Sequence, residues 1–157
     1  MYYNVINHMN TAFFIAKQAI KRREIPIGAV IIDSNELIIS ANHNLTFNSF
    51  DPTSHAEILC IREATKKLQT KYLKECDIFV TLEPCAMCAQ ALAASRIRRI
   101  YFSAYDEKFG AVNDRINIFR DIKVNIKPEI YGGIQEERSI KLLRSFFRNK
   151  RGIRINT

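Results

Sequence analysis

Met9, Ala12, Phe13, Ala16, Ala19 and Ile20 recur at intervals of three and four, the period of a helix with one apolar face. The pattern gives out at Arg22-Arg23-Glu24, where that helix is expected to end. Ile27 to Ile32 then reads as a buried strand, Ser34-Asn35 as a turn and the apolar stretch Glu36 to Ser40 as its return, so this segment predicts a hairpin. Gly28 inside the first strand marks a place where a ligand or another stretch of backbone comes close. The polar run Asn42 to Pro52 predicts a loop. Asp51-Pro52-Thr53-Ser54 offers cap and first-turn residues to a helix running to about Leu68, with Ile58, Ile61 and Leu68 toward the core and His55 in its first turn.

Ile78 to Leu82 has the composition of a buried strand. Pro84 is expected to open the next helix, which is rich in small residues at Ala91, Ala93 and Ala94 and so able to pack closely on a sheet. Arg99 to Phe102 predicts another strand and Val124 to Tyr131 a last one, in which Pro128 argues for an edge position or a strand end. After Gly132-Gly133 a closing helix is expected to reach about Asn149, with Ile140, Leu143 and Phe147 on one side, a spacing that reads Phe147 as an anchor of the helix in the core. Strands alternating with helices indicate a layered α/β fold. There is no internal repeat and no low-complexity segment.

At 157 residues, 47% hydrophobic and 25% charged, the chain has the size and composition of one globular domain, expected to span residues 1–157. Its longest apolar run, Ile25 to Ile32, falls well short of a membrane span. No basic residue precedes Lys17 to act as the start of a signal peptide. A cytoplasmic protein with no membrane partner is expected. The net charge is +8, which draws a protein toward polyanions without saying anything of its fold. The surplus is concentrated late: Arg138 to Arg154 holds seven basic residues and no acidic one. A basic helix and tail from about 135 to 157 fits a nucleic-acid contact, although the charge run by itself favours a solvated helix face.

Candidate chemistry is confined to His55-Ala56-Glu57 and Pro84-Cys85-Ala86-Met87-Cys88. Cys85 and Cys88 at the start of a helix share one face of its first turn, where the helix dipole favours the thiolate a metal needs. His55 supplies a third ligand. Three protein ligands are the mark of a catalytic zinc, since a structural zinc is usually closed by four and leaves no position for water. The water that a catalytic zinc acidifies needs a partner to carry its protons. Glu57 is assigned that role, and Glu83 a supporting or turn role. Singly these signals have plain readings: Cys-x-x-Cys occurs in redox motifs and structural zinc sites, and Ser54-x-x-Glu57 fits a helix capping box. His55 and Glu57, two apart on a helix, would point to different sides, so spacing alone does not bring them to one metal. Cys60 and Cys76 are read as packing or loop residues of a reduced chain.

The pair His-x-Glu and Pro-Cys-x-x-Cys is similar to the signature of zinc-dependent nucleobase deaminases. Three longer runs, Asp51-Pro52-Thr53-Ser54-His55-Ala56-Glu57, Thr81-Leu82-Glu83-Pro84-Cys85-Ala86-Met87-Cys88-Ala89 and Ala104-x-Asp106-x-Lys108-x-Gly110-Ala111, resemble the bacterial tRNA-specific adenosine deaminases. So does Phe146-Phe147-Arg148-x-x-Arg151 at the tail, and the resemblance covers nearly the whole chain. It implies a three-layer α/β/α cytidine-deaminase-like fold with a five-stranded mixed sheet and helices on both faces, and a homodimer. The activity implied is hydrolytic conversion of adenosine to inosine at the wobble position of a tRNA anticodon stem-loop. Matched residue by residue, His55, Cys85 and Cys88 take one zinc per chain and Glu57 is catalytic. Asn44 matches an asparagine that contacts the target base, and Asp106, Phe147, Arg148 and Arg151 fall on the substrate side. Ser54 stands where alanine is usual, and Tyr105 and Phe109 replace more polar neighbours of Asp106 and Lys108. The zinc motifs alone also fit a deaminase of free cytidine, deoxycytidylate or guanine, and a zinc-stabilised RNA-binding module is the non-enzymatic alternative.

Overall fold

In the computed structural model, which describes residues 2–113, 117–121 and 127–153, ten elements follow one another. They are α1 (Tyr2–Lys21), β1 (Gly28–Ile32), β2 (Ile38–His43), α2 (Ala56–Lys67), β3 (Asp77–Leu82), α3 (Ala86–Ser95), β4 (Arg99–Ala104), α4 (Ile118–Asp121), β5 (Glu129–Tyr131) and α5 (Glu136–Ile153). The strands form one sheet in the order β2-β1-β3-β4-β5. β1 runs antiparallel to both β2 and β3, while β3, β4 and β5 are parallel. This is the five-stranded mixed sheet that the family resemblance implied.

The period-two alternation of the strands decides which layer each side chain joins. Val30 and Ile32 of β1 meet Met9 and Phe13 of α1 on one face, with Phe79 of β3 and Leu142 of α5. Ala29 and Ile31, the alternate residues, meet Cys60 and Ala64 of α2 and Ala89 and Leu92 of α3 on the other. Each large apolar side chain fully buried in this way contributes about 1.5–3 kcal/mol. Gly28 is where α1 presses on β1: a Cβ there would run into the carbonyl of Ala12 and the backbone of Ala16. The close approach is therefore of backbone, not of a ligand. Cys60 and Cys76 are free and buried, and burial pushes the Cys60 thiol up to about 12, so both are packing residues. Among the described residues no helix is long and apolar enough to cross a membrane.

Several boundaries differ from expectation, each for a local reason. β2 covers Ile38–His43 instead of Glu36 to Ser40, because Glu36 takes a left-handed conformation in the turn (φ 63°) and Asp33 Oδ1 accepts the N–H groups of Asn35 and Leu37. Pro128 does not interrupt β5 but precedes it. The part of the predicted strand at 124–126 lies outside the described residues. β5 is an edge strand, as the proline argued. α5 continues to Ile153, past Asn149. Its core-facing residues are Ser139, Leu142 and Phe146, one position away from the expected Ile140, Leu143 and Phe147.

Candidate metal centre and active site

Both ligand-bearing helices begin at the same place, beyond the carboxyl ends of β3 and β4. His55 and Cys85 are their first, half-helical residues and not first-turn residues as expected: His55 has φ −71° and ψ 154°, Cys85 φ −71° and ψ 172°. Pro84 accordingly lies before the helix and does not open it. An extended residue aims its side chain away from the helical spiral, and this lets His55 and Glu57, only two apart, face one cavity. Neither ligand caps its own helix. The cap predicted from Asp51 to Ser54 is replaced by a distant one, since the N–H of Ala56 is taken by Asn44 Oδ1 at 2.9 Å. Asp51 instead binds its own loop, accepting from Thr53 and from the Ser54 hydroxyl.

His55 Nδ1 lies 3.7 Å from Cys85 Sγ and 3.6 Å from Cys88 Sγ, and the three ligand atoms all fall within 4.8 Å of one another. Zinc bound at about 2.0–2.1 Å by nitrogen and 2.3 Å by sulfur, at tetrahedral angles, separates N from S by roughly 3.6 Å. The donor set and its spacing fit zinc. Cys85 is held down to about 4, first by the hydrogen bond Cys88 gives it. Cys88 is pushed up by that same contact and by burial, so without a cation the two sulfurs keep one proton between them. His55 is raised by its hydrogen bond with Cys85. Among the described residues no carboxylate joins this cluster, which leaves three ligands.

Glu57 is buried, and burial pushes its carboxyl up to about 7. A carboxyl group in that state gains and loses protons near neutrality. It lines the same cavity as His55 and Cys85, a space of about 770 Å³ that also meets Asn44, Asp106, Leu143 and Phe147. Asn44 spends Oδ1 on Ala56, which orients its amide and leaves Nδ2 without a hydrogen bond among the described residues.

Two further buried carboxylates shape the walls. Glu83 accepts the backbone N–H groups of Asp106 at 3.0 Å, Val112 at 3.2 Å and Asn113 at 3.1 Å. That supporting role agrees with expectation. Glu24 accepts those of Phe47 and Asn48, both at 2.8 Å, and the Thr46 hydroxyl. Its role was not foreseen, because in sequence it merges with the charged end of α1. Asp106 lies on the cavity and turns its loop by accepting the N–H groups of Lys108 and Phe109. Phe147 lines the cavity and is 44% exposed, whereas Phe146 is 8% exposed. The core-anchoring role read for Phe147 belongs to Phe146. Arg148 is exposed and does not line the cavity. The Arg151 side chain lies outside the described residues, as do those of Lys150 and Arg154.

Comparison with known proteins bears on this site. The family model of the cytidine and deoxycytidylate deaminase zinc-binding region matches residues 4–104, a span that holds all three ligands and Glu57. A protein of Rickettsia bellii named tRNA-specific adenosine deaminase is 43% identical over 144 residues, 91% of this chain and 99% of that one. One of the same name from Aquifex aeolicus is 45% identical over 138 residues, covering 87% and 89%. A solved structure from studies of A-to-I editing by tRNA:A34 deaminases superposes with a TM-score of 0.83 at 39% identity, over 87% of this chain and 99% of that one.

Proposed function

The chain belongs to the zinc-dependent cytidine and deoxycytidylate deaminase family, among its tRNA-specific adenosine deaminases, and we propose that it hydrolyses adenosine to inosine at the wobble position of a tRNA anticodon. The observation that carries the chemistry is a cluster of three zinc-type ligands and the buried carboxyl of Glu57 on one cavity. His55, Cys85 and Cys88 would hold the zinc, which when bound would supply an acidified water as nucleophile. Glu57 takes a proton from the water that adds to C6 of adenine and passes it to ring nitrogen N1. It then carries the second proton to the amino group, which leaves as ammonia. Asn44 Nδ2, fixed by the Ala56 bond, donates to the ring of the target base, and Asp106 and Phe147 border it. The oriented groups exclude bulk water and hold the base in line with Glu57.

The RNA side of the reading rests on the open mouth of the cavity and on the basic helix α5, whose Arg148, and Arg151 beyond it, are assigned to phosphates. Anticodon loops present unpaired bases that splay out readily, which suits a pocket that must surround one base. The reading includes a homodimer and a cytoplasmic setting, with residues 1–157 as one deaminase unit. The test is incubation of the zinc-loaded protein with an anticodon stem-loop carrying adenosine at the wobble position, assayed for inosine, with free adenosine, cytidine and guanine alongside. Inosine in the stem-loop alone is expected. Turnover of a free base or nucleoside without the stem-loop would replace this reading with that of a small-molecule deaminase.

A further inference from the structure

The cavity mouth carries two aromatic rings on one short loop, with the Tyr105 ring seated against its neighbours and the Phe109 backbone held by the loop. Tyr105 is 42% exposed and Phe109 is 70% exposed, and both line the cavity that holds His55 and Glu57. Tyr105 meets buried Phe102 edge to face, with centroids 5.0 Å apart. Gly132 makes room for it, since a Cβ there would strike both Phe102 and the Tyr105 hydroxyl. The loop itself is pinned from beneath by Glu83 and from within by Asp106, which together accept five backbone N–H groups. Gly110 presses on the Glu83 carboxylate so closely that no side chain fits. Rings displayed to solvent on so constrained a loop lose little freedom when something stacks on them.

We propose that Phe109 and Tyr105 are stacking platforms for the unpaired bases next to the target adenosine, so that they select an RNA loop over a free nucleoside. The inference rests on the wobble-deaminase reading and adds to it the means by which the flanking nucleotides are held. The rings and the charge of the whole chain favour this occupant: the loop's own charges are mixed, Asp106 and Glu107 beside Lys108, but the chain is +8 overall. Exposed aromatic rings on a basic protein suit single-stranded nucleic acid, and stacking accepts any base because every base has a π-face. A free nucleoside brings no neighbouring base to stack on these rings.

The test compares wild type with Phe109→Leu and Tyr105→Leu, which keep apolar bulk and lose the flat face. Substrates are the wobble-adenosine stem-loop and the same RNA made abasic at the nucleotide on either side of the target. For Phe109→Leu, KM on the intact RNA is expected to rise roughly 5- to 100-fold, with kcat and zinc content unchanged. On the RNA abasic at the stacked position, wild type and variant are expected to become equal. Equal losses on intact and abasic RNA, or no loss on either, would overturn the proposal. So would a change in oligomeric state on Phe109→Leu, which would assign the ring to a contact between copies of the chain. If wild type binds the stem-loop without deaminating it, the function assigned above fails, and the same comparison made by fluorescence anisotropy still decides the stacking.

Discussion

The parallel strands of the sheet have a cavity at each end, one of about 770 Å³ beside the metal ligands and one of about 870 Å³ under the first turns of α1. The larger is the one without a metal triad. Its walls hold polar groups in plenty, yet they are engaged with one another: Asp77 with Arg98 at 2.7 and 2.9 Å and with Arg99 at 3.6 Å, and Asn4 with Glu36. Its rings are stacked on one another too, Phe79 on Tyr101 and Tyr101 on Tyr131. At the zinc end the supporting groups are equally satisfied, but Glu57 and Asn44 line the cavity together with two of the metal ligands. A site is therefore marked here by metal ligands and a buried carboxyl gathered on one cavity at the carboxyl ends of parallel strands, where open α/β sheets generally bind ligands, and not by the volume of the hole.

The largest expected contrast is in turnover. Glu57→Gln should lower kcat by on the order of 10²–10⁴-fold or more while keeping one zinc per chain, because the metal has three other ligands. Cys85→Ser should lose the zinc as well. Asp77→Asn at the far end should leave kcat unchanged. Steady-state kinetics with metal analysis settles it, and loss of zinc from Glu57→Gln would return the carboxylate to the ligand set.

Much of this was legible in advance. The order of the strands and of the long helices follows from periodicity, and the three clustered ligands from short motifs, because those signals are local; the four-residue α4 left no periodic signal and was missed. What was not legible depends on distant residues. That Asn44 rather than Asp51 to Ser54 caps α2 is set by a contact across twelve positions. That Glu24 holds the 46–48 backbone is set by one across more than twenty. Phe146 and Phe147 show the finest limit, since adjacent residues on a helix differ by about 100° and a one-residue error in phase exchanges core for rim. Phe146→Ala should thus cost about 3 kcal/mol of stability in urea unfolding, and Phe147→Ala under about 1. A larger loss from Phe147→Ala would restore the phase read from the sequence.

Each end also has a buried carboxylate whose work is structural, which allows a like-for-like test. Removing Glu83 strands three backbone N–H groups in the wall of the active cavity. Removing Asp77 takes the two-bond partner from Arg98 and one of two carboxylates from Arg99, which keeps Glu129. Glu83→Ala and Asp77→Ala should each destabilise by about 2 kcal/mol. Their kinetics should part company: KM for the stem-loop rises with Glu83→Ala, because the 105–110 loop loses its anchor, and stays level with Asp77→Ala. Parallel rises in KM would show that the RNA reaches both ends of the sheet.

The smallest effect expected is at the aromatic stack that floors the far cavity. Tyr101 lies between Phe79, at 4.5 Å and 3° between ring planes, and Tyr131, at 4.9 Å and 14°. Leucine at this position keeps the apolar volume against the sheet and loses both stacking contacts, each a modest quadrupole and dispersion gain beyond simple burial. Tyr101→Leu should therefore cost about 1 kcal/mol, seen as a fall in Tm of ~2–4 °C. Zinc content, kcat and KM should not move. The neighbouring ion pairs of Asp77 and Arg98 do not depend on the ring and should hold the strand ends in register without it. A change in kcat or KM from this one substitution would mean that the far cavity is read by the substrate or coupled to the zinc end through β4. The strand runs directly from Tyr101 to Ala104, next to Tyr105 on the cavity rim, so the route exists and only the measurement separates a silent floor from a second site.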